Sequence, residues 1–253
     1  MDLGLKSAKV LVTGGTRGIG RAIAETFAAE GASVGICARS QEHVEKTIAV
    51  LKAKGASAYG RSADVSDAKA LKGWVDDMAA QLGGVDVIVA NVSALSIGQD
   101  DESWEKEFAT DMMGTVRLVN AAMPYLEKSK AGAIVTISSV SGREIDFASG
   151  PYGTFKAAVI HYTQGLAYQL AGKGIRANTV SPGNTYFEGG VWNSIEDNNP
   201  ELYKSALALN PTGRMAKPQE IANAVVFLAS GAASFITGTN LVVDGALTRG
   251  VQF

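Results

Sequence analysis

Seven short β-rich runs alternate with longer helical patterns along the 253 residues of this chain, and no other feature restricts its fold as much. The runs are KVLVT (9–13), SVGICA (33–38), SAYGRSA (57–63), VDVIVA (85–90), AIVTIS (133–138), IRANTV (175–180) and NLVVD (240–244). Several are almost continuously apolar, as strands buried on both faces should be. Helical patterns lie near 18–30, 41–54, 67–82, 101–127, 152–172 and 218–230, with Asp67 placed to cap the third and Pro218 in the first turn of the last. The alternation predicts an α/β fold in which one seven-stranded parallel sheet carries helices on both faces, and right-handed crossovers make it doubly wound. No composition break, low-complexity tract or repeat marks a linker, so 1–253 is expected to be one domain. Segment 184–214, bounded by Pro182 and Pro211, fits the alternation least, and a long mixed excursion of this kind is expected to be functional.

The first run leads into VLVTGGTRGIGRAIAETFAAEG, a strand, a glycine turn and a helix. Gly14, Gly18 and Gly20 form a G-x-x-x-G-x-G pattern, and with Thr16, Arg17 and Ile19 they are expected to cradle a dinucleotide. The turn must be tight, the backbone must approach a pyrophosphate, and a helix N-terminus must point at it. A reader of the ribose 2′-hydroxyl would be Asp or Glu at the end of the second strand, but Arg39 stands there, and Arg17 lies inside the glycine loop. Two guanidinium groups suit a 2′-phosphate, so NADP(H) is expected, with NAD(H) as the alternative. Asp64, ending the third run, is placed to reach the adenine, with Val65 beside it; a turn or cap role is the other reading.

In SSVSGREIDFASGPYGTFKAAV, Tyr152 and Lys156 lie four apart, on one helix face, and Ser139 precedes the tyrosine by thirteen positions. A phenol of pKa about 10 is almost wholly protonated at neutral pH, and a nearby ammonium favours the phenolate. Such a pair is a tunable proton donor and acceptor, and a serine hydroxyl can bond a substrate oxygen on which charge develops. A nicotinamide moves a hydride but not the accompanying proton, so a Ser–Tyr–Lys set beside it completes that chemistry.

With TGGTRGIG, ADVSD, IVTISSVSG, YGTFK, IRANTVSPG and ITGTNLVVDGA in order, nearly the whole chain resembles the short-chain dehydrogenase/reductase family, and it is similar to members known as 3-oxoacyl-carrier-protein reductases. The resemblance implies a Rossmann-type sheet, NAD(P)(H), and reversible reduction of a carbonyl to an alcohol. It implies that Tyr152 is the acid/base, that Lys156 holds the nicotinamide ribose and lowers the tyrosine pKa, and that Ser139 orients the substrate oxygen. Pro182, Gly183 and Thr185 would line the nicotinamide, segment 184–214 would be a substrate lid, and the protein would be a homodimer or homotetramer. Two departures stand out. After the fourth strand the family has Asn-Ala-Gly, whereas this chain keeps Asn91 but has Val92 and Ser93. The family's fourth catalytic residue, an Asn that kinks its helix and holds a relay water, is here Asp111. Its carbonyl still serves; if its side chain reaches Lys156 through a water its charge would raise the pKa of Tyr152, and the alternative is that the side chain faces solvent and only the carbonyl joins the relay.

The net charge of −2 gives no reason to expect nucleic acid or an acidic membrane as partner. The start of the chain lacks a basic n-region and no apolar run reaches the length of a membrane span, so a cytoplasmic protein is expected. Cys37, the only cysteine, reads as a core residue, and His43 and His161 lack partners at ligand spacing, so no metal is expected. The expected function is NADP(H)-dependent hydride transfer to or from a small carbonyl or alcohol; the alternative is a non-catalytic NADP(H)-binding regulator. An acidic carrier as partner would want a basic patch, for which Lys128, Lys130 and Lys173 are candidates, whereas Glu188, Glu196, Asp197 and Glu201 on the lid oppose it.

Overall fold

The computed structural model describes residues 2–251, so Met1, Gln252 and Phe253 of the expected 1–253 unit lie outside the described residues. In chain order the elements are β1 (Lys9–Thr13), α1 (Gly18–Ala29), β2 (Ser33–Ala38), α2 (Gln41–Ala53), β3 (Ala58–Ser62), α3 (Ala68–Leu82), β4 (Val87–Ala90) and α4 (Asp101–Glu107). Then come α5 (Met113–Leu126), β5 (Ala133–Ile137), α6 (Pro151–Leu170), β6 (Arg176–Pro182), α7 (Val191–Asn198), α8 (Pro200–Ala208), α9 (Pro218–Ala229) and β7 (Asn240–Val243). The strands form one sheet in the order β3-β2-β1-β4-β5-β6-β7. Every pairing is parallel, which is the expected doubly wound, Rossmann-type architecture.

The strands sort their side chains by the period of two. Val10, Val12, Val34, Ile36, Val87, Val89 and Val135 face α1, α2 and α9. Leu11, Cys37, Ile88, Ile134 and Ala177 face α3, α5 and α6. Cys37 is fully enclosed, and burial pushes its thiol up to about 12, so it packs as a small apolar residue. Trp74 is buried on the same side and donates its indole N–H to the Ile36 carbonyl at 3.1 Å.

Sequence order reverses at β1, which pairs with both β2 and β4. Ligands of such sheets bind in the crevice outside the carboxyl ends of the strands at that reversal. The loops after β1, β4, β5 and β6 carry the expected site residues to that edge. Lys128, Lys130 and Lys173 precede β5 and β6, and therefore lie at the opposite edge.

Two segments differ from the sequence reading. The helix expected over 101–127 is α4, then a π-turn over Phe108–Met112, then α5. The N–H of Met113 bonds the Phe108 carbonyl five residues back, and the Thr115 hydroxyl donates to the Asp111 carbonyl at 2.6 Å. The helical pattern runs on through the turn, so the sequence shows no break. The excursion 184–214 contains α7 and α8, with a small core of Trp192, Ala206 and Met215 packed by Tyr186, Ile195, Tyr203 and Leu207.

The position of β6, whose end carries Pro182 and Gly183, depends on Arg176. Its guanidinium donates to the carbonyls of Leu228, Ala229 and Ser230 at the end of α9 and to that of Ile236, at 2.5–3.3 Å. One cation thus satisfies carbonyls that the helix leaves unpaired and meets the negative end of its dipole. Arg176→Ala is expected to cost about 2–3 kcal/mol, seen as a fall in Tm of roughly 4–10 °C in a thermal melt.

Candidate active site

The glycine loop is shaped from within. Gly14 and Gly15 both donate their N–H groups to the Cys37 carbonyl, at 2.8 and 3.2 Å. Asn91 closes the loop from β4: its N–H bonds the Thr13 hydroxyl at 3.1 Å, and its side-chain amide donates to the Thr13 carbonyl at 3.0 Å and the Gly14 carbonyl at 3.4 Å. A Cβ on Gly20 would strike the Gly14 carbonyl and the Asn91 amide. Residue 20 must therefore be glycine for α1 to start this close to the loop. Arg17, the residue before α1, gives no side-chain cap, so the first-turn amides of α1 are free of a protein side-chain acceptor. Those donors, beside Thr16 and Ile19, fit a dinucleotide pyrophosphate.

The residues at the ribose end fit in the same way. Arg17 and Arg39 are exposed, and neither side chain has a hydrogen-bond or ion-pair partner among the described residues. Asp64 is partly engaged: its Oδ1 accepts from the Ser66 N–H and hydroxyl at 2.9 and 2.7 Å. Burial pushes the Asp64 pKa up, but the Ser66 bonds and the Arg39 charge outweigh it, and the net direction is down. Val65 is buried beside it. Across the crevice, Pro182 ends β6, Gly183 follows it, and the buried Thr185 hydroxyl donates to the Gly183 carbonyl at 3.0 Å. The lid closes onto the glycine loop through Phe187. A Cβ on Gly18, whose φ is +51°, would sit 2.5 Å from Cζ of that ring.

Tyr152 and Lys156 share a face of α6, with the ammonium 5.5 Å from the phenol ring centroid. Lys156 is buried and donates to the Ile137 carbonyl at 3.1 Å. The Ser138 hydroxyl donates to the Lys156 carbonyl at 2.8 Å and ties the helix to the end of β5. Ser139 follows, its hydroxyl beside Tyr152 and pulling the phenol pKa down. The same hydroxyl donates to Ser141 Oγ at 3.3 Å, and Ser141 donates to Asp146 at 2.6 Å.

Asp111 does not reach Lys156 through a water. Its Oδ2 lies 2.9 Å from the ammonium, with both side chains out of solvent. This is contact between charges in which Oδ2 lacks a well-aligned hydrogen bond. Its Oδ1 accepts from the Ala94 N–H at 2.8 Å. Burial pushes the Lys156 pKa down, yet Asp111, Tyr152 and Glu107 together push it further up. The expectation that Tyr152 is lowered is corrected in its net sign. Burial raises the phenol most, Lys156 and Ser139 lower it, and Asp111 and Glu107 raise it again, so the net direction is up.

A family model described as enoyl-(acyl carrier protein) reductase matches residues 14–248. The chain belongs to the short-chain dehydrogenase/reductase family. It is 44% identical to isoepoxydon dehydrogenase patN of Penicillium expansum, over 100% of this chain and 99% of that one. It is 36% identical to the 3-oxoacyl-[acyl-carrier-protein] reductase FabG of Escherichia coli K12, over 94% and 96%. An NADPH-bound short-chain oxidoreductase of Pseudomonas aeruginosa PAO1, described as containing an atypical catalytic center, superposes with a TM-score of 0.90 at 28% identity, covering 97% of this chain and 99% of that one.

Two residues of this short-chain dehydrogenase/reductase site escaped the sequence reading. Glu107 is fully buried beside Asp111, and Asp146 ends the chain of hydroxyls from Ser139. The spacing of Glu107 and Asp111, four apart in one helical pattern, was the available signal for the first; the second had none. Among the described residues no helix is long and apolar enough to cross a membrane, and no group of three or more His, Cys, Asp and Glu is placed to hold a metal.

Asp111→Asn keeps an acceptor for Ala94 but removes the charge opposite Lys156. Severing a buried pair typically costs ~3–5 kcal/mol; Glu107 remains as a counter-charge, so a loss of about 2–3 kcal/mol is expected. Urea unfolding measures it, and an isostable variant would contradict the pairing.

Proposed function

We propose that the protein is an NADP(H)-dependent oxidoreductase that interconverts a small carbonyl compound and its alcohol. The observation that carries this reading is the convergence of the Ser139 hydroxyl, the Tyr152 phenol and the buried Lys156 ammonium at the same sheet edge as the open first turn of α1. When bound, the nicotinamide supplies or accepts the hydride. Gly14, Thr16, Arg17, Gly18, Ile19 and Gly20 would hold the pyrophosphate, Arg17 and Arg39 the 2′-phosphate, and Asp64 and Val65 the adenine. Asn91 acts by bracing the loop, while Pro182, Gly183 and Thr185 line the far side together with Tyr152 and Lys156.

In reduction, Tyr152 gives its hydroxyl proton to the substrate oxygen as negative charge builds there. Ser139 exchanges its long bond to Ser141 for one to that oxygen, while Asp146 keeps Ser141 oriented. Lys156 steadies the phenolate that results. The raised phenol pKa keeps Tyr152 in the protonated form that reduction requires and makes the phenolate that oxidation requires scarce at neutral pH. In oxidation the same hydroxyl must first lose its proton.

A free small molecule fits better than a carrier-bound acyl chain. The basic residues Lys128, Lys130 and Lys173 lie at the wrong edge of the sheet, and Lys173 is paired to Glu127 at 2.6 Å. The loops after β4 and β5 and the start of α7 instead expose Leu95, Ile97, Ile145, Phe147 and Val191. Phe147 packs edge-on against Trp192 of the lid, with ring centroids 6.0 Å apart. A homodimer or homotetramer agrees with the exposed Tyr168 on α6, and a cytoplasmic location with the absence of a spanning helix among the described residues. The lysine locked to Asp111 is what favours a non-catalytic NADP(H)-binding regulator as the second reading.

An NADPH-oxidation screen over cyclic ketones, sugars and acyl thioesters separates the two. Tyr152→Phe is expected to keep cofactor binding and lose about 10²–10⁴-fold in turnover. Tight binding of NADPH with no turnover of any carbonyl by the wild type would favour the regulator. Wild-type turnover in the variant would remove Tyr152 from the mechanism.

Wild type is also expected to bind NADPH more tightly than NADH, and Arg39→Asp to reverse the order, because a carboxylate repels the 2′-phosphate and bonds the ribose hydroxyls. Titration calorimetry with both cofactors reads it, and equal wild-type affinities would remove Arg39 from cofactor selection.

A further inference from the structure

Glu107 is the last residue of α4, and its side chain has no exposure to solvent although it is a carboxyl group. A buried carboxyl needs either a counter-charge or a proton. The groups facing it decide which. On its own helical segment it meets Asp111, a like charge. From the loop after β4, the Ser96 N–H donates to its Oε2 at 2.8 Å and the Ser93 hydroxyl lies at 3.5 Å from its Oε1. From α6 the only cation is Lys156, already in contact with Asp111, and Tyr152 lies beyond it. Two carboxylates and one ammonium therefore share an enclosed space. The nearer carboxylate takes the ammonium, and the farther one is left to keep a proton.

We infer that Glu107 is a positioning residue that stores an exchangeable proton against Asp111 and thereby sets the charge seen by Lys156 and Tyr152. This deepens the proposed oxidoreductase reading and, for its effect on turnover, rests on it. With the proton in place the trio Glu107, Asp111 and Lys156 is neutral. Without it the trio carries one negative charge, which disfavours the phenolate. Burial first, then the Asp111 charge, push the Glu107 pKa up to about 7, so the change falls in the working range. As pH rises past neutrality the phenol therefore holds its proton more tightly, and the phenolate that alcohol oxidation requires becomes harder to form. The same proton-bearing side chain holds the loop over residues 93–96, so charge and loop position are fixed by one group.

Glu107→Gln tests this, because an amide oxygen still accepts from Ser96 and never ionises. Three measurements are made on full-length wild type and variant. The first is the pH–rate profile for alcohol oxidation with NADP: the variant should lose the inflection near pH 7 and move its limb to lower pH by about one unit. The second is Tm against pH. The native pKa of about 7 lies above the ordinary 4.5, so the folded state binds the extra proton between those values. Stability from this group is full below about 4.5 and is lost as pH rises through about 7, and the variant should lack that slope. The third is infrared absorption of protonated carboxylic acid, which should titrate away near neutrality in wild type and be missing from the variant. A variant that keeps the wild-type oxidation limb, the wild-type stability slope or the acid band overturns the inference. Should the wild type turn over no substrate, the oxidoreductase reading fails, and the stability slope and acid band, which need no substrate, still decide whether Glu107 stores the proton.

Discussion

The ammonium of Lys156 is the point on which this structure turns. Taking such a group out of water costs several kcal/mol after relaxation, and only good geometry on several sides offsets that. Three elements supply it. The end of β5 gives the Ile137 carbonyl, the π-turn gives Asp111, and α6 gives the face of Tyr152. The ammonium therefore joins the sheet to two helices at the edge where the crevice opens. The π-turn is understandable in these terms. By inserting one residue between α4 and α5 it aims both Glu107 and Asp111 inward, and it leaves an Asp111 carbonyl that the Thr115 hydroxyl satisfies. π-turns occur often at functional sites, and here the backbone irregularity serves a buried charge.

The same reasoning explains what was legible in the amino-acid sequence. Strands buried on both faces announce themselves by apolar runs, so all seven appear within a few residues of their expected bounds. The glycine loop and the Tyr152–Lys156 spacing are local patterns, and the fold brings them to one edge as expected. What stayed hidden depends on partners distant in sequence. Asn91 looks like a residue for the cofactor, yet its amide points inward and holds the loop by bonds spanning 77 and 78 positions. The π-turn leaves the helical periodicity intact and so has no signature. Burial of Glu107 follows from the packing of α4 onto α6, which no window of sequence contains. The lysines considered for a carrier protein fail for a topological reason, since residues that precede a parallel strand sit at the edge opposite the site.

The lid is tied to the rest by the ion pair of Arg214 with Glu220 of α9 at its far end and by aromatic contacts over the crevice. Tyr186 and Tyr203 meet edge-on at 6.1 Å within the small core of α7 and α8, and so build the lid itself. Phe187 does something different. A Cβ on Gly190 would lie 2.9 Å from its Cζ, and one on Gly18 nearer still, so two glycines make room for one ring. Gly190 belongs to the lid and Gly18 opens α1, so the ring couples lid position to the start of the helix that the cofactor would meet. Phe147 and Trp192 make a second contact of this kind at the mouth, from the loop that follows Ser139. The serine loop, the lid and the glycine loop are therefore in contact through these two rings.

Asp111 gives the site a balance of its own. A neutral amide at that position would leave the buried ammonium with only the more distant Glu107 as counter-charge, and so freer to act on the phenol. A carboxylate at 2.9 Å neutralises most of that charge locally. It strengthens the hold on Lys156 and weakens the activation of Tyr152, and both directions are visible in the two pKa shifts, each of them upward. The exchange favours a protonated phenol over a phenolate, so the form that alcohol oxidation requires is the scarcer one. A second carboxyl beside the first would push further the same way if it were always charged. Burial prevents that below neutrality, because Glu107 keeps its proton there at less cost than a second bare charge would incur. The position that departs from the family pattern and the carboxyl that the sequence reading missed are therefore one electrostatic unit, and neither can be understood without the other.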